Sequence, residues 1–121
     1  SWGGIVVWNK PSARPLLGEF RRDSEFIVYA CKGRLQRHTR QCLPGVFRYP
    51  VNAAEKAHLT GKPLPLMKEL MTIAPAGGTV LDPFLGGGTT ALAALATGRK
   101  CIGIELSPEY AQIAAERVRA A

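Results

Sequence analysis

Residues 79–90 read TVLDPFLGGGTT. Val80 and Leu81 form a short apolar strand, Asp82 an acidic turn, and Gly86, Gly87 and Gly88 a run without a single Cβ. Backbone there can approach a ligand closely. Thr89 and Thr90 then open the alanine-rich segment ALAALATG, which is helical by composition and stops at Gly98. Residues 100–106, KCIGIEL, supply a second apolar strand that carries a carboxylate, Glu105, near its end. Two such strands joined by a helix make a right-handed βαβ unit, with Asp82 and Glu105 at the carboxyl ends of neighbouring strands. The amides of the helix start face the loop, the usual seat of a nucleotide-like cofactor.

Three readings of that unit compete. Gly86, Gly88 and Ala91 fit the dinucleotide pattern G-x-G-x-x-A, and Glu105 follows Gly86 by 19 residues, where a ribose-binding acid belongs. Asp82 argues against a diphosphate, because a fixed negative charge beside it is repulsive; beside an ammonium or sulfonium group the same carboxylate is favourable. The third reading is a tight turn without a ligand. Three adjacent glycines carry an entropic cost that such a turn does not require.

The sequence DPFLGGGTT followed by IGIEL closely resembles the cofactor motifs of DNA amino-methyltransferases. These enzymes methylate the exocyclic amino group of adenine or cytosine with S-adenosylmethionine. Asp82, Pro83, Phe84, Gly86, Gly88, Thr89 and Thr90 match the family pattern D-P-F-x-G-x-G-T-T. Upstream, HLTGKP is similar to the family's H-P-T-x-K-P, which serves the methionine end of the cofactor. His58, Thr60, Lys62 and Pro63 match, with Leu59 in place of the proline. An ammonium at Lys62 ahead of a helix start is suited to a carboxylate such as the cofactor's own. The resemblance also gives Glu105 the ribose hydroxyls and places Leu106 beside the adenine ring.

With 121 residues and 46% hydrophobic composition, the chain has the size of one globular domain, small for a complete methyltransferase. It contains no apolar run of membrane-spanning length and no signal-peptide pattern. Cys31, Cys42 and Cys101 are odd in number and lack a C-x-x-C pair, which suits reduced thiols in the cytoplasm. Cys31, His38 and Cys42 match no zinc spacing, so no metal is expected. The net charge of +7 is unevenly placed. Residues 1–50 hold nine bases against three acids, and residues 51–121 hold seven against six. The front half is therefore electropositive, either as a phosphate-facing surface or as a solvated basic face.

Ile5 to Trp8 and Glu25 to Ala30 read as strands, the second closing at Gly33. Trp8, Lys10, Pro11, Arg22 and Glu25 are loosely similar to the family's W-x-K-P and R-x-x-E passage. Residues 34–40, RLQRHTR, are the densest basic run. With Pro44, Gly45 and Pro50 behind it and no clear period, this region reads as a loop. In the family, the target-recognition region falls here. Arg34, Arg37, His38 and Arg40 are candidates for contact with double-stranded DNA, against the alternative of ordinary surface arginines. Leu66, Met67, Leu70 and Ile73 have helical spacing, predicting a packing helix from about Pro63 to Ala74. Ser107 is a good N-cap with Pro108 behind it. Tyr110, Ile113, Ala114 and Arg117-Val118 give the following helix an apolar stripe.

The expected fold is α/β: a Rossmann-like methyltransferase three-layer sandwich with a mainly parallel sheet, incomplete at one edge. It forms a single partial domain over 1–121, with target-side strands in 1–33, a DNA-recognition loop in 34–56 and a cofactor-binding half in 57–121. The resemblance implies a catalytic D/N/S-P-P-Y/F/W tetrapeptide that stacks on a flipped base and hydrogen-bonds its amino group. No such tetrapeptide occurs in these residues. The expectation is a C-terminal part that binds S-adenosylmethionine without catalysing transfer alone, with another chain carrying the catalytic half as a possible partner. A non-catalytic DNA- or protein-binding module and a small nicotinamide-dinucleotide domain are the alternatives. Exposed apolar sheet would favour a homo-oligomer.

Overall fold

A computed structural model describes residues 1–34, 36–51 and 61–121. The elements run β1 (Trp2–Asn9), β2 (Ser24–Ala30), β3 (Val46–Arg48), α1 (Leu64–Met71), β4 (Thr79–Asp82), α2 (Thr89–Ala96), β5 (Lys100–Gly103) and α3 (Pro108–Ala120). They divide into two compact units, Ser1–Val51 and Asn52–Ala121. No helix among the described residues is long and apolar enough to cross a membrane.

The first unit is a three-stranded sheet in the order β2-β1-β3. β1 runs antiparallel to β2, with Ile5 opposite Val28 and Trp8 opposite Glu25, and a register shift between Trp2 and Gly4. Tyr29 explains the glycines of that irregularity, since a Cβ on Gly3 would stand 2.3 Å from its ring. β3 lies parallel to β1, Trp8 opposite Phe47. Trp8 and Phe47 are both buried. The Trp8 indole Nε1 donates to the Tyr49 carbonyl at 2.8 Å, and Lys10 Nζ lies 5.7 Å from the indole centroid and 3.1 Å from Glu25 Oε1. Trp8, Lys10 and Glu25 of the loosely matched passage thus form one structural cluster. The opposite face of this sheet carries Ile5, Phe26, Val28 and Val46, all exposed.

β3 corrects the sequence reading of 34–56 as an uninterrupted loop. Three residues between Gly45 and Pro50 show no periodicity of their own. The strand exists because β1 offers a free ladder edge, and bonds from Val7 N to Gly45 O (2.9 Å) and Tyr49 N to Asn9 O (3.2 Å) extend the pairing beyond it.

The second unit holds the parallel pair β4-β5, with Asp82 opposite Gly103. Met71, Ala93 and Ala94 are buried as one cluster, against which Leu64, Met67, Val80 and Cys101 pack. α1 and α2 therefore cover the face of β4 and β5 that carries Val80 and Cys101. The other face presents Leu81, Ile102 and Ile104 to solvent, each more than half exposed. α1 starts after Pro63 and stops where Thr72 Oγ1 closes on the Glu69 carbonyl at 2.6 Å, short of the predicted Ala74. Arg99 joins the ends of both helical segments, donating to Thr97 O at 2.8 Å and Ala74 O at 2.7 Å. β5 ends at Gly103 and not at Leu106. Leu85 folds over Gly103, where a Cβ would meet its Cδ2 at 2.4 Å. Ile104 N, just past the strand, continues the ladder onto the Asp82 carbonyl.

Candidate functional site

The glycine loop is built from the end of β4 outward. Asp82 Oδ1 accepts from the Phe84 amide at 2.9 Å and closes a side-chain turn. Ile104 N donates to the Asp82 carbonyl at 2.8 Å, and Leu85 N donates to the Ile104 carbonyl at 2.9 Å. The loop is thereby stitched to the segment that leaves β5. Gly88 N then donates to Leu85 O at 3.1 Å, and Gly88 itself, at φ 85°, is the N-cap of α2. A side chain would be strained at that angle.

Glu105 faces this loop. Its Oε2 accepts from Gly86 N at 2.7 Å and its Oε1 from Ser107 N at 2.8 Å. Those donors, Ser107 first, hold the carboxyl below the usual carboxylate range, so Glu105 is ionised at neutral pH. A carboxylate offers about four lone-pair sites, more than these backbone donors occupy, so acceptor capacity remains for hydroxyl donors. Burial, reinforced by nearby Asp82, pushes the Cys101 thiol up and keeps it protonated. Ser107 caps α3, its Oγ accepting from Tyr110 N at 3.4 Å.

Lys62, Asp82, Phe84, Gly86, Thr89, Thr90 and Glu105 all line one cavity of about 420 Å³ within the second unit. Gly61 brings Lys62 to the start of α2, its Cβ position lying 3.1 Å from Thr89 Oγ1. Pro63 is buried at the start of α1, Pro83 is exposed beside the turn, and Gly88 is buried beneath α3. Leu106 points into solvent at 97% exposure and is not among the residues that line the cavity. His58 and Thr60 lie outside the described residues.

Met67 and Tyr110 also line the cavity, although helical spacing assigns both to packing stripes. No local signal separates a residue at the edge of such a stripe from one inside it. In the first unit, Arg37, His38 and Arg40 surround an open concavity of about 720 Å³ together with Thr39 and Gln41. Arg34 is exposed nearby in sequence.

A parallel strand pair bridged by a helix, with a glycine loop at the carboxyl end of one strand and an acid following the other, is the arrangement of Rossmann-like S-adenosylmethionine-dependent methyltransferases. The structure superposes on M1.HpyAVI, solved with S-adenosylmethionine, with TM-score 0.73 and 30% identity, over 97% of this chain and 62% of that one. It matches the cytosine-N4-specific PvuII DNA methyltransferase in fold, with TM-score 0.72 and 20% identity, over 93% of this chain and 49% of the other.

Residues 3–116 match the DNA methylase family model for N6 and N4 methyltransferases. The chain belongs to this family of adenine-N6 and cytosine-N4 amino-methyltransferases. It is 32% identical to the type II methyltransferase M.SmaI of Serratia marcescens, over 93% of this chain and 44% of that protein. It is 44% identical to M.HinfI of Haemophilus influenzae, over 94% of this chain and 38% of the relative. The chain thus spans less than half the length of these two relatives.

Proposed function

We propose that the second unit binds S-adenosylmethionine, and that the whole protein transfers its methyl group to the exocyclic amino group of adenine or cytosine in double-stranded DNA. The observation that carries this reading is the convergence of Lys62, Asp82, Phe84, Gly86 and Glu105 on one cavity. The donor set suits the cofactor. Glu105 keeps acceptor sites for ribose hydroxyls, Asp82 places negative charge on the side of a sulfonium, and Lys62 answers a carboxylate. Phe84, 87% exposed, offers an apolar ring to a purine.

When bound, the cofactor supplies an electrophilic methyl group. The residues described here bind and orient it, and Asp82 does so while holding its own turn through the Phe84 amide. On this reading His58, Thr60 and Pro63 complete the methionine end, Pro83, Gly88, Thr89 and Thr90 shape the loop, and Leu106 borders the adenine. Arg34, Arg37, His38 and Arg40 are the proposed DNA contacts, working through phosphate attraction. The catalytic tetrapeptide is not in these 121 residues. These residues alone therefore bind cofactor without methylating, and the target chemistry belongs to the rest of the protein or a partner chain in the cytoplasm.

Calorimetric titration of this chain with S-adenosylmethionine tests the reading. Wild type binds, and Asp82→Asn, which keeps an acceptor for Phe84 N while removing the charge, binds more weakly. Absence of binding, or equal binding by the variant, would refute it. A second reading, a DNA-binding module without catalysis, is favoured by the basic residues Arg37, His38 and Arg40 around one concavity. Mobility-shift titration with duplex DNA separates the two, since binding that ignores the cofactor favours the module. The open faces at Phe26 and Val28 and at Leu81 and Ile102 support self-association, which sedimentation as a clean monomer would contradict.

A further inference from the structure

Three consecutive glycines lose more backbone entropy on ordering than any other tripeptide, so a loop built from them gains order from contacts made from outside it. Two of those contacts come from α3. Arg117, half-buried in its last turns, donates from Nη1 to the Gly87 carbonyl across 30 residues of sequence. One turn earlier, Ala114 is buried directly against Gly88, where a Cβ would stand 2.9 Å from the Ala114 Cβ and 3.0 Å from its Cα. A third contact, Glu105 Oε2 with Gly86 N, comes from the segment leading into the same helix. Each glycine of the run is therefore held by a different group, and all three groups lie between β5 and the end of α3.

We propose that α3 is the template of the glycine loop, with Arg117 as a positioning residue that orders the loop before the cofactor arrives. This rests on the S-adenosylmethionine reading for its consequence, but the ordering itself is a property of the free chain. Arg117 does not line the cavity. It acts through the Gly87 carbonyl, fixing the peptide between the Glu105-bonded Gly86 and the left-handed Gly88. An ordered loop spares the cofactor the entropy of arranging it, so the residue contributes to affinity without contact. A guanidinium is suited to this role because it holds its donors in a fixed plane, whereas an ammonium on a flexible stem holds the carbonyl less firmly.

Amide hydrogen exchange on the cofactor-free chain, followed residue by residue, is the direct test, with S-adenosylmethionine titration alongside. In Arg117→Ala, exchange at Gly86 and Gly88 is expected to rise about tenfold or more, the loss of one charge-assisted hydrogen bond. Exchange at Ala93 and Ala94, inside α2, is expected to hold. Affinity for S-adenosylmethionine falls by a similar factor, and Arg117→Lys restores part of both effects. Unchanged exchange in the loop, or a rise shared equally by Ala93 and Ala94, overturns the proposal, the second outcome marking Arg117 as merely structural. If wild type fails to bind S-adenosylmethionine while the exchange pattern appears as stated, the template stands and the cofactor reading falls. If binding is normal and the loop is indifferent to Arg117, the reverse holds.

Discussion

Replacing Gly88 with alanine perturbs the second unit in two separable ways. At φ 85° the residue lies in the left-handed region, which costs a non-glycine residue roughly 1–2 kcal/mol. The new Cβ also meets Ala114 at 2.9 Å, with backbone at 3.0 Å behind it, so α3 has to move. Overpacking of that kind costs about 1–3 kcal/mol. Reduced freedom of the unfolded chain returns roughly 0.4–1 kcal/mol. The expected net loss is therefore about 1–4.6 kcal/mol. Gly86→Ala is the internal control. Gly86 is also left-handed, at φ 55°, but no atom of the described residues lies within 4 Å of its Cβ position. Only the torsional cost remains, about 0–1.6 kcal/mol after the same entropic return. Urea unfolding followed by far-ultraviolet circular dichroism reads the second unit, because α1, α2 and α3 all belong to it. Tryptophan fluorescence reads the first, which holds both tryptophans, Trp2 and Trp8. Gly88→Ala should lower the dichroism midpoint, and Gly86→Ala should lower it less. Equal effects of the two substitutions would refute the claim that close approach of α3 sets the requirement at Gly88.

Arg99→Ala removes the bonds to Thr97 O and Ala74 O, and the dichroism transition should lose about 1–3 kcal/mol; a loss under half of that would show the two carbonyls to be satisfied by water. Glu105 carries a pH signature. Its folded pKa lies below the unfolded value, so its contribution is present above the ordinary carboxylate range and is lost as pH falls through the folded pKa. The midpoint of the second unit should fall with acidification below about pH 4.3, and Glu105→Gln should flatten that fall; parallel profiles for the two proteins would exclude Glu105 as its source.

Much of the candidate site was legible because its signals are local. The acidic turn, the glycine run, the cap at Ser107 and the prolines near the starts of α1 and α3 act within a few residues, where backbone sterics and hydrogen-bond chemistry are decided. The apolar run of β2 and the alanine-rich run of α2 were readable for the same reason, and DPFLGGGTT identified the family to which residues 3–116 belong. The cavity residues Met67 and Tyr110 were not legible, since side chains at the border of an apolar stripe look alike in one dimension whether they face a core or a cavity.

The sequence by itself determined that a βαβ unit would carry a glycine loop between two acids, because strand, turn and helix propensities there all agree. Only the tertiary structure decided that β3 pairs beside β1, that β5 stops at Gly103 under Leu85, short of Glu105, and that Arg117 closes on Gly87. Each of these joins groups far apart in the chain, and such a contact is chosen by packing and by the demand of backbone groups for partners. Neither leaves a mark in the residues nearby.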